Sequence, residues 1–321
     1  MHLSALLLIG MVASAAAVAV HAHPSSPITP AALFWQQALP GTTMPDAIAD
    51  LVQKGTDHSP LVEHYSVQPS ISTCILFNSA CDPRPVAATG VFFHEAQLRP
   101  GTTMTLSFFP AEAAAGSASP ILPHDVAEKV PFRNLPDVLS AFTIPAGSAE
   151  ADQVRDTLRR CEEPPVAGEV KSCTTSLEST VRSAVGMLGT NQGVFAATSS
   201  VLRRPASGRY VVQAAAKLAG GRYVSCHKVP FPYAVYQCHM AAAVGTGRMG
   251  YRAYVVSLTT GPRGGDLAAS MLAFCHVDTS SWNPAHPAFE ILNTRPGGSP
   301  VCHFMPPGDL AFVKKADDTM A

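Results

Sequence analysis

Four copies of the dipeptide Cys-His in the last third of the chain constrain its fold more than any other sequence feature. Ten residues separate the first copy from the second, thirty-five the second from the third, and twenty-five the third from the fourth. The copies use half of the 8 cysteines and a third of the 12 histidines, so chance is a poor explanation for them. They are Cys226-His227, Cys238-His239, Cys275-His276 and Cys302-His303.

The residues around the first two copies predict β-strands. Both flanks are rich in β-branched and aromatic residues with partial alternation, as in Tyr223-Val224-Ser225 and Val235-Tyr236-Gln237. Neighbouring side chains of a strand point to opposite faces of a sheet, so each copy would send its sulfur to one face and its imidazole to the other. This geometry fits disulfides on one face and a histidine cluster, which could bind a metal, on the other. The sequence leaves open whether the four imidazoles converge.

The N-terminus predicts a secretory signal peptide over residues 1–22. A long apolar run from Leu3 to Ala13 continues through alanine and valine to the small-residue end Val20-His21-Ala22. The polar, proline-rich segment that follows favours a cleaved signal over a membrane anchor, which needs about 20 apolar residues with fitting flanks. We therefore expect a secreted chain that has no membrane contact after cleavage.

Secretion would place the cysteines in an oxidising compartment, where an even number predicts up to four disulfides. Cys161 and Cys173 bracket the connection between two predicted helices, and we expect a disulfide there. Cys74 and Cys81 suggest a small local loop. The pairing is otherwise open, because eight cysteines allow many connectivities. The candidates are Cys74, Cys81, Cys161, Cys173, Cys226, Cys238, Cys275 and Cys302.

Composition and periodicity predict limited helix and no polyanionic partner. Charged residues make up 14% of the chain and the net charge at pH 7 is −1, so nothing points to nucleic acid. The 28 prolines and 23 glycines predict many turns. The clearest helix runs from Ala149 to Cys161, with Ser148 as its cap. A second helix is predicted from Thr174 to Leu188, ended by Gly189.

The remaining segments complete an α+β prediction that is mostly β. Short elements are expected at Ala31–Leu39, as helix or strand, and at Met44–Val52, as helix. The predicted organisation is a signal peptide at 1–22, a short leader at 23–90 and a main domain at 91–321. The main domain is expected to be held together by disulfides, to be rich in strands toward its C-terminus and to carry a helical pair in its N-terminal half. The strands predicted after residue 209 are Tyr210–Gln213, Tyr223–Cys226, Ala234–Cys238, Tyr251–Leu258 and Leu310–Val313.

With these residues in view, the chain resembles the plant BURP-domain proteins. The hallmark of that family is four Cys-His pairs with about ten residues in the first gap and about twenty-five in the last, and both match here. The middle gap is longer than the family's usual one, and the extra length is best placed in the loop from Thr259 to Leu267, which leaves the strands in place. Other matching segments cover most of the chain: Phe34-Trp35, Met44-Pro45, Phe92-Phe93-His94-Glu95, Leu98, Gly101, Met104, Leu122-Pro123, Pro131-Phe132, Thr157-Leu158, Cys161-Glu162, Gly168-Glu169, Lys171-Ser172-Cys173 and Thr175-Ser176-Leu177-Glu178.

The resemblance implies a secreted plant protein with a structural or interaction role at the cell wall or apoplast, in development or stress response. The family includes seed proteins, dehydration-responsive proteins and the non-catalytic β subunit of polygalacturonase, so the implied partners are cell-wall polysaccharide or wall enzymes. One branch consists of copper-dependent peptide cyclases, which cross-link Tyr or Trp side chains. In that branch the histidines of the Cys-His pairs are the natural copper ligands. Carried onto this chain, these ligands are His227, His239, His276 and His303.

Residue chemistry alone supports a metal site and a structural role for these histidines about equally. Imidazole suits copper or zinc. A structural zinc site is disfavoured, because Cys-x-x-Cys spacing is absent and exported cysteines should be oxidised. The resemblance moves the balance toward copper as a cofactor. His94 and His286 are candidate accessories.

A cyclase that acts on its own leader is disfavoured, because the leader segment most similar to a core peptide lacks the aromatic residue that a cross-link needs. It offers Trp35 and Tyr65, but Trp35 lies in a segment that ordinary family members share, where its role is packing. The segment from Gln68 to Ile75 is similar to a Gln-Pro-initiated core peptide, yet it ends in isoleucine. The favoured function is therefore structural or interactive, and a copper-dependent peptide cyclase is the alternative.

Overall fold

The structure is a computed structural model. It describes residues 29–57, 65, 71–76, 78–107, 119–205, 208–219, 222–241, 250–261 and 265–315. The predicted signal at 1–22 and the beginning of the Gln68–Ile75 segment lie outside these residues. Across the described ranges, no helix has the length and apolar character that a membrane crossing requires.

Two antiparallel sheets form the framework. In the larger sheet the strands follow the order β1-β11-β10-β9-β6-β2, and β5 also pairs with β10. In the smaller sheet they follow the order β3-β8-β7-β12-β4. The strands are β1 (Phe92–Phe93), β2 (Thr103–Thr105), β3 (Glu169–Thr174), β4 (Val194–Ala197), β5 (Ser200–Val201), β6 (Arg209–Lys217), β7 (Arg222–Val229), β8 (Val235–Ala241), β9 (Tyr251–Thr259), β10 (Leu267–His276), β11 (Val301–Phe304) and β12 (Leu310–Lys314).

The inner faces of the two sheets pack against each other. Tyr223 of the smaller sheet meets Phe274 of the larger one edge to face, with ring centroids 6.1 Å apart, a favourable arrangement for two aromatic rings. Ala311 and Val313 of β12 and Ala253 of β9 belong to the same buried cluster. The result is a sandwich whose apolar centre holds the two sheets in fixed register.

Short helices cover the outer faces of the sheets. Trp35 of the first helix is 1% exposed and packs against Phe312 of β12, while its indole N–H donates to the carbonyl oxygen of Thr42 at 2.9 Å. The helices are α1 (Pro30–Ala38), α2 (Asp46–Asp57), α3 (Ser72–Ile75), α4 (Pro83–Ala87), α5 (His124–Ala127), α6 (Leu135–Ala141), α7 (Ala149–Glu162), α8 (Leu177–Leu188) and α9 (Pro287–Ile291), besides a 3-10 helix at Glu95–Leu98.

The predicted helical pair is confirmed, with one corrected boundary. Ser148 caps α7 as predicted, since its hydroxyl accepts from the backbone N–H of Ala151 at 3.1 Å. The predicted start of the second helix at Thr174 is wrong, because Thr174 ends strand β3 and pairs with Tyr236 of β8. The helix α8 begins after Ser176, whose hydroxyl caps it, and ends at Gly189 in the left-handed conformation, with φ at 71°.

The strands predicted after residue 209 are all present, but β3, β4, β5, β10 and β11 were not predicted. The β10 sequence is rich in alanine, which is depleted in strands, so propensity does not reveal it. It nevertheless pairs with β9, β5 and β11, and its residues from Met271 to His276 are buried. The fold class, α+β and mostly β, is confirmed.

The structure joins all eight cysteines in four disulfides. The expected bond between Cys161 and Cys173 is present and ties the last turn of α7 to β3. The local loop at Cys74 and Cys81 is also closed by a disulfide. The other bonds are Cys226–Cys238 and Cys275–Cys302.

Replacing both Cys161 and Cys173 by serine should lower the free energy of unfolding by about 3 kcal/mol. The bond closes a loop with a sequence separation of 12, and a disulfide stabilises mainly by restricting the unfolded chain. Urea unfolding of both proteins without reductant would measure the difference. A loss below about 1 kcal/mol would show that the unfolded chain gains little freedom when this loop opens.

Candidate metal centre

The first two Cys-His pairs lie opposite each other in the smaller sheet. Cys226 of β7 is directly paired with Cys238 of β8, and their disulfide joins Cα atoms 3.9 Å apart. Because successive side chains of a strand alternate between faces, His227 and His239 both project from the other face, as diagonal neighbours. Their rings stack with centroids 5.3 Å apart.

The larger sheet repeats this arrangement. Cys275 of β10 is directly paired with Cys302 of β11, again with Cα atoms 3.9 Å apart. His276 and His303 project from the opposite face, and their ring centroids are 5.3 Å apart. Their Nε2 atoms are 3.2 Å apart and share a hydrogen bond, so one of the two rings carries its proton on Nε2.

The two histidine pairs meet between the sheets. The rings of His227 and His303 are 5.7 Å apart, and those of His239 and His276 are 6.5 Å apart. All four residues are at most 3% exposed. The structure therefore answers the question that the sequence left open: the imidazoles converge. We call His227, His239, His276 and His303 the histidine cluster.

The sulfur atoms lie on the outer faces, as the strand geometry predicted. Cys226 and Cys238 belong to the buried cluster that packs beneath α1, α2 and α8. Cys275 and Cys302 belong to a separate buried cluster on the far side of the larger sheet. Each Cys-His pair thus contributes one half of a disulfide to an outer core and an imidazole to the space between the sheets.

Carboxylates orient the two imidazoles of the smaller sheet. Asp309, in the turn before β12, places Oδ2 2.9 Å from Nδ1 of His227, and Glu169 of β3 places Oε2 3.2 Å from Nδ1 of His239. An ionised carboxylate can only accept, so it fixes the proton on Nδ1 and leaves the lone pair on Nε2; for Asp309 this holds above its pKa of about 7. Within the described chain, Nε2 of His227 is buried and has no hydrogen-bond partner.

Burial keeps the imidazoles in the form that binds metals. It lowers the pKa of His227, His276 and His303 well below the usual value, and the neighbouring imidazoles add to the effect. These rings are therefore neutral at pH 7, as metal ligation requires. Burial also raises the pKa of Asp309 to about 7, opposed by the hydrogen bond from the backbone N–H of Lys228.

The types of ligand atom in the cluster suit a copper ion, but their present arrangement does not form a complete coordination site. Buried, neutral, carboxylate-oriented imidazoles are suitable copper ligands, and the oxidised cysteines rule out thiolate ligands. Among the described side chains, however, no three His, Cys, Asp or Glu groups already form a set that could hold an ion. The hydrogen bond between His276 and His303 accounts for part of this, since a bound ion would have to replace it.

Two aromatic side chains flank the histidine cluster. The ring of Tyr251 and the ring of Trp282 each lie 4.6 Å from the ring of His276. The Tyr251 hydroxyl lies 3.2 Å from both Nδ1 of His239 and Oε1 of Glu169. Burial raises the pKa of this phenol well above its usual value, and Glu169 adds to the rise.

Sequence reasoning missed the four residues that surround the histidine cluster. Glu169 lies in the segment Gly168-Glu169, which matches the family, but that match does not indicate its contact with His239. The strand that begins at Tyr251 was predicted, but its place beside the cluster was not, and Asp309 and Trp282 lie in turns. Only the packing of the folded chain brings these three residues to the cluster.

The two candidate accessory histidines have structural contacts of their own. His94 lies at the start of the 3-10 helix, where its backbone N–H donates to the side-chain oxygen of Gln97 at 2.8 Å. His286 caps α9 and accepts from the backbone N–H of Ala288 at 3.2 Å. Its ring is 4.7 Å from that of Trp282, which separates it from His276.

Comparison with known proteins matches residues 91–314 to the family model of the BURP domain. The chain is 42% identical over 241 residues to BURP domain-containing protein 13 of Oryza sativa subsp. japonica, covering 73% of this chain and 55% of that protein. It is 44% identical over 230 residues to Protein RAFTIN 1B of Triticum aestivum, covering 70% and 60%. It is 35% identical over 299 residues to BURP domain-containing protein 5 of Oryza sativa subsp. japonica, covering 88% and 86%. The chain thus spans little more than half the length of the first two relatives.

Proposed function

Since this chain belongs to the BURP-domain family, we propose that it is a secreted protein of the plant cell wall or apoplast with a structural or interaction role, and that its histidine cluster binds copper. The observation that carries the proposal is the meeting of four buried imidazoles between two sheets, in each of which a disulfide joins the two strands that carry them. Burying several polar imidazoles together costs free energy, and binding of a metal ion would offset that cost.

In this proposal the chain's own residues provide a rigid holder. His227, His239, His276 and His303 would hold the ion. Asp309 and Glu169 keep the Nδ1 protons of His227 and His239 in place, so that Nε2 is the ligating atom. Bound copper would supply one-electron redox chemistry, and the surrounding apolar side chains would keep bulk water away from it.

The interaction role rests on the rigidity of the domain. The four disulfides suit an oxidising compartment outside the cytosol. One ties α7 to the smaller sheet, one closes a local loop, and one joins neighbouring strands within each sheet. The partners we propose are cell-wall polysaccharide or wall enzymes. A rigid surface loses little conformational entropy when a partner binds to it.

Copper-dependent peptide cyclisation is the second candidate, and one observation favours it. Tyr251 and Trp282 lie against His276, so side chains of the two types that such cyclases cross-link are already beside the histidine cluster. The burial of the cluster works against a peptide supplied from outside. Trp35, one of the two candidate aromatic residues of the leader, is packed against Phe312, which is a structural role.

The copper content and the intact mass of the secreted protein, before and after copper is added in air, test the proposal. We expect stoichiometric copper and a deficit of eight hydrogens for the four disulfides, with no further loss of mass. A further loss of two hydrogens in a peptide that contains Tyr or Trp would favour the cyclase instead. Protein that binds no copper would contradict the metal part of the proposal, and protein retained inside the cell would contradict secretion.

A further inference from the structure

A second candidate site lies outside the sandwich, between α2 and the turn before β12. It is a cavity of about 570 Å³, within the range of small-molecule pockets. Side chains of α2, the β5 segment and the Pro307-Gly308 turn line it together with Lys228. None of these residues belongs to the histidine cluster, because Lys228 points away from the face of β7 that carries His227.

Lys228 makes this cavity unusual. The residue is only 7% exposed, and its ammonium lies at the wall of the cavity beside Gly308. A Cβ atom placed on Gly308 would be 3.6 Å from Nζ of Lys228 and 4.0 Å from Leu51, so the turn runs close to the ammonium. The φ of Gly308 is +93°, a conformation that glycine adopts without strain.

The ammonium of Lys228 has no hydrogen bond or ion pair with any side chain that the structure describes. Asp309 influences it from a distance, but the oxygens of Asp309 accept from the backbone N–H of Lys228 and face His227. The ammonium faces the cavity, so an anion bound there could pair with it directly.

The charges around the cavity define the ligand further. Arg204 adds a second cation, and it differs from its neighbour Arg203, which pairs with Asp266 at 2.6 Å. The α2 side of the cavity carries the carboxylates of Asp50 and Asp57, with Lys54 between them. A ligand that fits must offer negative charge to Lys228 and Arg204 and hydrogen-bond donors to Asp50 and Asp57.

We propose that this cavity binds a small hydroxylated carboxylate. The carboxylate group pairs with Lys228 and Arg204, and hydroxyl groups of the ligand donate to the carboxylates of α2. Both a free hydroxy acid and an acidic sugar carry this chemistry. The site is independent of the proposed copper centre, since it lies on the other face of β7 and needs no metal.

Calorimetric titration of the metal-free protein at constant ionic strength tests the proposal. The probes are tartrate, D-glucuronate and succinate, which resembles tartrate without its hydroxyl groups. We expect tartrate or glucuronate to bind at least about 10-fold more tightly than succinate, which corresponds to about 1.4 kcal/mol. Tighter binding of tartrate would identify a free hydroxy acid, and tighter binding of glucuronate an acidic sugar.

The variants locate the binding. Lys228→Met preserves side-chain length and removes the charge, and we expect it to weaken the binding at least 10-fold. Arg204→Gln changes an exposed residue that leaves the fold intact, and it should also weaken the binding, whereas the matched control Arg203→Gln should not. Absence of binding at about 10 mM of each probe would overturn the proposal, as would unchanged binding in both Lys228→Met and Arg204→Gln. Equal affinity for succinate and tartrate would overturn the assignment of a hydroxylated ligand.

Discussion

Replacing His276 by glutamine will lower the affinity of the protein for copper by more than about 100-fold. His276 lies at the centre of the histidine cluster, since its ring is within 6.5 Å of the rings of both His239 and His303. Glutamine is of similar size and polar, but it has no lone-pair nitrogen to offer an ion. Competition titration against a copper chelator of known affinity would measure the change.

Two further variants make this result specific. Glu169→Gln should cost roughly 10–100-fold, because Glu169 only orients a proposed ligand, and loss of such a partner usually has an effect of that size. His124→Gln should change nothing, because His124 lies outside the cluster and pairs with Glu128 at 3.3 Å on the surface. Copper affinity that survives in His276→Gln would place the ion elsewhere in the protein.

The metal-free protein will lose stability steeply as the pH falls from 6.5 toward 5. The pKa values of His227, His276 and His303 lie well below the usual 6.5, and that of His286 is lowered to about 4, mainly by burial. At pH values below 6.5 the unfolded chain therefore binds protons at these four positions that the folded chain does not bind. Stability that is fully present above pH 6.5 is lost as protons favour the unfolded state.

Asp309 opposes this loss only in part. Its pKa is raised to about 7 in the folded protein, so between its usual 3.8 and 7 the folded state holds one more proton there than the unfolded state does. Four histidines outweigh one carboxyl group, which leaves a net difference of about three protons and a slope on the order of 3–4 kcal/mol per pH unit. Urea unfolding at pH 7, 6 and 5 after treatment with a chelator would measure it.

A single substitution checks the origin of this acid sensitivity. His286→Asn keeps a side chain that can cap α9 and removes one titrating group, so the slope should fall by about one proton, or roughly 1.4 kcal/mol per pH unit. The His124→Gln protein should behave as the unchanged protein does. Equal stability at pH 7 and pH 5 would show that the buried imidazoles are able to take up protons without unfolding.

The sequence predicted those parts of the fold that depend on local pattern. The Ser148 cap of α7 and the strand that begins at Tyr251 depend on a few neighbouring residues, and each was predicted correctly. The start of α8 was not, because Thr174 takes its conformation from pairing with Tyr236, which lies sixty-two residues further along the chain. Strand β10 was missed for a similar reason: its alanines fit a position buried between two sheet neighbours, and alternation is lost there.

The sequence identified which side chains are candidate ligands, but not that they meet at one position in the fold. The Cys-His pairs indicated that sulfur and imidazole would face opposite ways, because that follows from the geometry of any strand. Nothing local indicated that His227 and His303 would face each other, since this depends on how two sheets stack. Asp309 and Lys228 are beyond sequence reasoning for the same reason, because a turn before β12 brings one to the cluster and a helix from the leader encloses the other.

The disulfides between directly opposite strand residues also act on how the protein reaches its structure. If β8 slipped by one residue along β7, Cys238 would turn to the inner face and His239 to the outer face, and the bond to Cys226 could not form. The same holds for Cys275 and Cys302. Under oxidising conditions only chains that have paired these strands correctly can therefore form these two bonds, and a chain that has slipped keeps reactive thiols.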